Sequence, residues 1–232
     1  MKVAEERRFR DYRTDLAFDH RQLRVALRRL RQLTRHGDAT ELDLDETIDE
    51  TCRNAGEIEL VFRPPRRNEV RVLLLMDVGG TMEPYHEPVS RLLTALHEER
   101  GLRALEPYYF HNCVYDHVYT RATMRRTDAV PTGDLLRRFD ARWKVVLVGD
   151  GAMHPAELLE PYGGIDPRIT TPTPGVVWLH RIASHFERAV WVNPEAVEDW
   201  GGWQTVRVVR RLFPMFPLSV DGLGEAVQTL VR

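Results

Sequence analysis

The sequence contains very few cysteines and no long apolar run. Cys52 and Cys113 are the only cysteines among 232 residues, too few for a disulfide scaffold. No apolar stretch approaches the ~18 residues that a membrane-spanning helix requires. The sequence also does not open on a basic leader followed by an apolar core. We therefore expect a cytoplasmic protein with no membrane span.

A strong charge of either sign is also missing, since the formal net charge is −2 at pH 7. This balance gives no overall attraction to nucleic acid or to an anionic membrane, and we expect neither as a partner. Charged residues are nevertheless distributed unevenly along the chain. Arginine-rich residues 1–36 predict a basic helix, with Leu23, Leu27 and Leu30 at helical spacing, and residues 38–59 predict an acidic one.

Residues 70–81, with the sequence VRVLLLMDVGGT, organise the rest of the chain. A short run without polar alternation predicts a strand buried on both faces of a parallel sheet. Gly79 and Gly80 permit positive φ and close backbone approach, so Asp77 and Thr81 can both face the end of this strand. Thr81 also has a plainer interpretation, as the cap of the following helix.

A second apolar run, WKVVLVG over residues 143–149, also ends on an acid, Asp150. Residues 189–192 predict a third buried strand, and residues 106–120 predict an antiparallel hairpin. The carboxyl ends of parallel strands meet at one edge, so we expect Asp77 and Asp150 to lie close together.

The predicted fold class is therefore α/β. We expect a central, mostly parallel sheet with one antiparallel hairpin and helices on both faces. We assign residues 1–56 to an N-terminal helical extension and residues 57–232 to the sheet domain. Because the extension lies outside that sheet, we expect a deletion of residues 1–35 to leave the domain folded.

The two acids, Thr81 and a later loop threonine resemble the metal-ion-dependent adhesion site (MIDAS) of von Willebrand factor A (VWA) domains. In that family Asp-x-Ser-x-Ser follows the first strand, a threonine lies in a later loop and an aspartate follows the fourth strand. Together they hold magnesium or manganese. The segments MDVGGTM, YYFHN, VGDGAM, WVNP and FPMFPLSVDGL are similar to the CoxE-like branch. Its members are encoded beside MoxR-type AAA+ ATPases and are associated with maturation of other enzymes.

This resemblance implies a Rossmann-like VWA fold and a metal site formed by Asp77, Thr81, Asp150 and either Thr132 or Thr127. Thr132 is the first choice, although each threonine could instead be a helix or turn cap. Gly79 stands where the family has a serine, so a bound Mg²⁺ or Mn²⁺ should be held weakly. The implied function is a non-enzymatic, metal-dependent adaptor that binds a MoxR-type ATPase or its client protein.

A second interpretation is a phosphoryl-transfer enzyme. The stretch DVGGT also resembles the phosphate-binding turn of sugar kinases with an actin-like fold, where Asp77, Gly79, Gly80 and Thr81 would form a phosphate and magnesium loop. In those kinases the turn lies in a β-hairpin, whereas residues 88–100 here have helical periodicity. His111 and Cys113 flank a turn, and we interpret them as packing residues rather than zinc ligands.

Overall fold

The computed structural model describes residues 20–30, 33–35, 37–98, 102–164 and 171–232. The strands are β1 (Leu33–Arg35), β2 (Glu41–Leu42), β3 (Phe62–Arg63), β4 (Arg66–Asn68), β5 (Arg71–Asp77), β6 (Ala104–Phe110), β7 (His117–Tyr119), β8 (Ala129–Pro131), β9 (Lys144–Val148), β10 (Arg188–Asn193) and β11 (Met215–Pro217). The α-helices are α1 (His20–Leu27), α2 (Leu44–Arg53), α3 (His86–Glu98), α4 (Thr132–Arg138), α5 (Pro155–Leu159), α6 (Gly175–His185), α7 (Gln204–Leu212) and α8 (Val220–Val231). Short 3-10 helices cover Gly80–Tyr85, Arg126–Asp128 and Val197–Gly202.

Seven strands form the central sheet, in the order β11-β10-β9-β5-β6-β7-β8. β5 pairs in parallel with β6 and β9, and β10 pairs in parallel with β9 and β11. β7 is antiparallel to both of its neighbours. The predicted α/β fold, a mostly parallel sheet with an antiparallel hairpin, is confirmed.

Alternate residues of the central strand enter two different cores. Leu73 and Leu75 pack on the face covered by α4, α5, α6 and α7. Val72, Leu74 and Met76 pack on the other face, beneath α1, α3 and α8. Side chains point to opposite faces along a strand, and both faces are covered, which is why this stretch is continuously apolar.

Helix α1 belongs to the core that also contains α3 and α8. Leu23, Leu27 and Leu30 have at most 2% of their surface exposed, and they join the cluster that contains α3 and α8. This packing revises the expectation that a deletion of residues 1–35 leaves the sheet domain unaffected, because such a deletion uncovers apolar side chains of α3 and α8. The division at residue 56 stays a prediction.

Residues 41–63 form a smaller unit outside the main sheet. β2 pairs with β3, and Asp43 caps the acidic helix α2 by accepting from the amide of Glu46. Residues 57–63 alternate in a pattern typical of a strand, but only Phe62–Arg63 pair. Of the basic helix predicted over residues 1–36, α1 is present, while residues 1–19, 31, 32 and 36 lie outside the described residues.

Candidate metal centre

Asp77 is the last residue of β5 and has 2% of its surface exposed. Its Oδ1 accepts hydrogen bonds from the backbone amides of Gly79 at 2.7 Å and Asn112 at 2.9 Å. Its Oδ2 is buried and has no hydrogen-bond partner. A buried carboxylate oxygen without a partner is costly, so this atom identifies a place where a ligand would stabilise the fold.

Asp150 lies beside Asp77 at the carboxyl edge of the sheet. Its strand, β9, neighbours β5, and Val148 is in register with Met76. Asp150 is also 2% exposed. It accepts from the amide of Ala152 at 2.9 Å and from the hydroxyl of Thr81. The carboxyl edge therefore holds Asp77, Thr81 and Asp150 together.

The backbone beneath Asp150 is fixed by two side chains of β10. The indole Nε1 of Trp191 donates to the carbonyl oxygen of Gly149 at 2.7 Å. The Nδ2 of Asn193 donates to the carbonyl oxygen of Asp150, also at 2.7 Å. A Cβ at position 149 would lie 3.0 Å from the Cβ of Asp77, so glycine allows the two acid-bearing loops to approach each other.

Burial and neighbouring acids make both aspartates costly to ionise. Burial raises the pKa of Asp77 to about 7, and the neighbouring charge of Asp150 adds to this effect, although the amides of Gly79 and Asn112 oppose it. Burial also raises the pKa of Asp150, against the hydrogen bonds from Thr81 and Ala152. Among the described residues neither acid forms an ion pair with a basic side chain. A cation would offset both penalties.

A third acid, Glu157, lies behind the first two. This residue of α5 is 1% exposed. Its carboxylate accepts from the Nδ2 of Asn112 at 3.1 and 3.3 Å and from the amide of His154 at 3.2 Å. Hydrogen bonds therefore connect Glu157 through Asn112 to Asp77.

Gly79 is required for space and not for an unusual backbone conformation. Its φ is −59° and its ψ is 162°, and the described glycines with positive φ are Gly37, Gly56 and Gly151. The positive φ that the sequence suggested for Gly79 and Gly80 is therefore wrong. A Cβ at position 79 would lie 2.0 Å from the Oδ1 of Asn112. The side chain of Asn112 thus occupies the space that a residue larger than glycine needs.

Thr81 lies in the 3-10 helix Gly80–Tyr85, whose first residues receive no side-chain cap. Its hydroxyl contacts Asp150 instead, so the interpretation as a helix cap does not describe its contact. Thr132 is buried at the start of α4, and its hydroxyl donates to the carbonyl oxygen of Tyr115 at 2.6 Å. Thr127 is exposed in the helix Arg126–Asp128. A contact from either later threonine to Asp77 or Asp150 is not present in the described structure, and their role as ligands stays a prediction.

Comparison with known families places this site in context. A family model described as VWA domain containing CoxE-like protein matches residues 16–139, more than half of the chain. The chain belongs to this family. The match includes α1, β5, the hairpin and α4, and it ends before β9. Neither a search of curated proteins nor a search of solved structures found a match.

VWA domains mediate protein interactions, and membership in this family supports an adaptor role. Among the described helices of this VWA domain, none has the length and apolar character needed to cross a membrane. Asp77, Asp150 and Thr81 all offer oxygen atoms, which suit a hard cation such as Mg²⁺ or Mn²⁺. The described residues contain no group of three or more His, Cys, Asp or Glu side chains arranged to hold a metal ion. The residues available to this VWA domain, Asp77, Asp150 and the Thr81 hydroxyl, fit a weakly held ion.

Two residues of the VWA site escaped the sequence-based prediction, namely Asn112 and Glu157. Asn112 was interpreted only as part of a hairpin turn, although it directly follows a strand expected to end at the same edge. Its backbone has a φ of 56°, a conformation that asparagine adopts more readily than most residues. The missing serine at position 79 is the signal that could lead to it, because it leaves room for an oxygen from another part of the chain.

Proposed function

We propose that this VWA domain is a non-enzymatic adaptor that binds a protein partner through a divalent metal ion. The partner we propose is a MoxR-type AAA+ ATPase or the client protein that the ATPase remodels, in maturation of that client. The observation that supports the metal is the pair of buried aspartates, with one unpartnered oxygen and no basic residue paired with either among the described residues. The observation that supports the partner is the family to which the chain belongs.

Asp77, Asp150 and Thr81 would hold Mg²⁺ or Mn²⁺ directly or through water. A magnesium ion with few protein ligands keeps several waters, and a carboxylate from a partner can replace one of them. The protein's own contribution is to hold the two aspartates in place and to shelter them from water. The hydrogen bonds to the Asp77 Oδ1 and to the backbone of Asp150 supply that rigidity.

A single partner carboxylate gives orientation more than affinity, so the surrounding surface must supply binding energy. Four large apolar side chains are exposed on the segments that follow β9 and β10. They are Leu159, Tyr162, Val197 and Trp203. Exposed apolar residues around a polar centre are typical of protein interaction sites. This distribution supports a protein ligand rather than a small molecule.

Phosphoryl transfer is less well supported. The amide of Gly79, which a phosphate-binding turn would direct at its ligand, donates to Asp77 instead. The chain continues into a 3-10 helix and α3, not into a hairpin. We expect no metal-dependent hydrolysis of ATP or of a phosphate ester, and turnover that is lost in Asp77→Ala would replace the adaptor proposal.

The proposal is tested by capture of partners from the source cell in three parallel experiments. These use the wild-type chain with Mg²⁺, the wild-type chain with chelator, and Asp77→Ala with Mg²⁺, and bound proteins are identified by mass spectrometry. We expect an AAA+ ATPase or its client only in the first experiment. Equal recovery in all three would show an interaction that does not use the metal, and metal-dependent recovery of an unrelated protein would refute the choice of partner.

A further inference from the structure

Asn112 lies directly above Asp77 because of the register of two neighbouring strands. β5 and β6 pair in parallel with Asp77 opposite Phe110, and the chain then turns so that the amide of Asn112 donates to the Asp77 Oδ1 at 2.9 Å. The left-handed backbone of Asn112, with φ of 56°, directs its side chain back over this strand end. The residue is thus held by the same carboxylate that would hold the metal.

The amide oxygen of Asn112 fills the place of the side chain that Gly79 lacks. A Cβ built at position 79 would lie 2.0 Å from this Oδ1 and 3.1 Å from the Oδ1 of Asp77. A serine in the family pattern would begin at this same point. The structure therefore contains an oxygen where the sequence motif lacks one, donated by a different part of the chain.

Glu157 determines which end of the Asn112 amide faces Gly79. A carboxylate can only accept, so the group that approaches its oxygens at 3.1 and 3.3 Å must be the Nδ2 donor. The Oδ1 then points away from Glu157 and toward Gly79. No described residue donates a hydrogen bond to this Oδ1, so it is free to accept a cation.

We propose that the Oδ1 of Asn112 is a metal ligand that replaces the missing motif serine, and that Glu157 is the positioning residue that orients it. The proposal rests on the proposed function, since it concerns the same ion. It predicts a site in which one ligand comes from the loop after β6 instead of the loop after β5. Amide oxygens are ordinary ligands of hard cations, so the exchange preserves the chemistry of the site.

The primary test measures binding of Mn²⁺ alone, by titration calorimetry and by loss of the free-ion electron paramagnetic resonance signal. Asn112→Gly removes the side chain and tolerates the positive φ, which alanine would not. We expect it to weaken Mn²⁺ binding by about 10-fold or more. Ala55→Gly is the matched control, because Ala55 is exposed and has a φ of 55°, and it should bind like wild type.

A pair of further variants separates ligation from folding. Gly79→Ser alone should lower both stability and Mn²⁺ affinity, because its Cβ overlaps the Oδ1 of Asn112. The double variant Gly79→Ser/Asn112→Gly removes that overlap and restores the family pattern, so it should bind Mn²⁺ more tightly than either single variant. A double variant that is no better than Asn112→Gly, while folded by circular dichroism, would overturn the proposal.

Glu157 has its own test. Glu157→Ala should weaken Mn²⁺ binding, and Glu157→Gln, which can still accept from the Nδ2 of Asn112, should restore part of it. Glu160→Gln, on an exposed carboxylate of the same segment, serves as the control. In a ¹⁵N-resolved spectrum, Mn²⁺ should broaden the side-chain amide signal of Asn112 in wild type and should no longer do so in Asp77→Ala.

The outcomes distinguish the two proposals. If wild type binds no Mn²⁺, the metal-dependent function and the ligand assignment both fail. If wild type binds Mn²⁺, Asp77→Ala abolishes binding and Asn112→Gly retains full affinity, the metal site stands and the assignment of Asn112 is refuted. Weakened binding in Asn112→Gly with full recovery in the double variant supports both.

Discussion

The two carboxylate oxygens of Asp77 have opposite surroundings. One accepts two backbone amides, and the other is buried without a partner. The first arrangement favours the charged form and fixes the rotamer, whereas the second makes that charge expensive unless a cation is present. The hydrogen bonds therefore hold Asp77 in one orientation, and its buried charge destabilises the folded protein when no cation is bound.

The metal-free protein should lose stability as the pH rises. A carboxyl whose pKa is higher in the folded chain than in the unfolded chain stabilises the fold below its unfolded pKa, and that contribution is lost as the pH rises through the folded pKa. For Asp77 the interval runs from about 3.8 to about 7. The loss is on the order of 4 kcal/mol, at about 1.4 kcal/mol for each pKa unit.

Asp77→Asn should remove most of this pH dependence. Urea unfolding in chelator, measured from pH 5 to pH 8, should show a smaller decrease for the variant than for wild type. The variant should also be the more stable of the two at pH 8. Asp150 has a raised pKa too, so a residual slope of the same sign is expected. Asp38→Asn, at an exposed position, is the control, and equal slopes for wild type and Asp77→Asn would contradict the prediction.

Divalent metal should reduce this difference in stability between Asp77→Asn and wild type. A ligand that binds only the folded state stabilises it by about 1.4 kcal/mol at ten times its dissociation constant. Millimolar Mg²⁺ or Mn²⁺ should therefore raise the melting temperature of wild type and leave that of Asp77→Asn unchanged. Calorimetric scans in chelator and in metal measure both. An equal rise in both proteins would indicate binding elsewhere on the chain.

At the residue scale, the sequence predicted the acids better than it predicted their neighbours. Asp77 and Asp150 each follow a run of apolar residues, so local pattern is enough to place them at strand ends. Asn112 contributes through contacts with Asp77 and Glu157, which are 35 and 45 residues away. Contacts between such distant residues depend on strand order and register, which a single sequence does not specify.

At the element scale, the apolar runs predict the buried strands β5, β9 and β10, which the structure contains. β8 was not predicted, because three residues carry no readable alternation. The position of α1 was not predicted either. The spacing of Leu23, Leu27 and Leu30 indicates an apolar stripe on a helix. The spacing alone does not specify which surface packs against that stripe.

The packing of α1 leads to a stability prediction with a control on the same helix. Leu23→Ala should lower the free energy of unfolding by about 2–5 kcal/mol, because Leu23 is fully buried against the core shared with α3 and α8. Val25→Ala should change it by no more than ~0.5 kcal/mol, since Val25 is 56% exposed. Urea unfolding measures both changes. A neutral Leu23→Ala would mean that α1 is a detachable arm after all.

Helix α2 should behave differently from α1. Leu44 and Ile48 are 63% and 59% exposed, so Leu44→Ser/Ile48→Ser should leave the free energy of unfolding nearly unchanged. Thr47, on the buried side of the same helix, accepts from the amide of Val61 and provides the contrast. Thr47→Val should lower stability by about 1–3 kcal/mol, because that amide then lacks a partner. Denaturant titration of the two variants separates the two faces of α2.

At the scale of the whole molecule, the chain segments that follow β9 and β10 carry Asp150 and four of the exposed large apolar side chains. The carboxyl ends of β5 and β9 present Asp77 and Asp150, and the segments after β9 and β10 present Leu159, Tyr162, Val197 and Trp203. One face of the sheet packs with α1, α3 and α8 in a hydrophobic core.

The final prediction separates this surface from the metal. Leu159→Ser/Trp203→Ser should reduce capture of the metal-dependent partner by about 10-fold or more, since apolar and aromatic anchors dominate interface energies. Its Mn²⁺ affinity should match wild type, because neither residue belongs to the proposed set of metal ligands. The control is Val25→Ser, at an exposed apolar position on α1. This variant should capture the partner as wild type does. If the double variant and Val25→Ser retain the partner equally well, the carboxyl edge holds the ion but does not dock the partner.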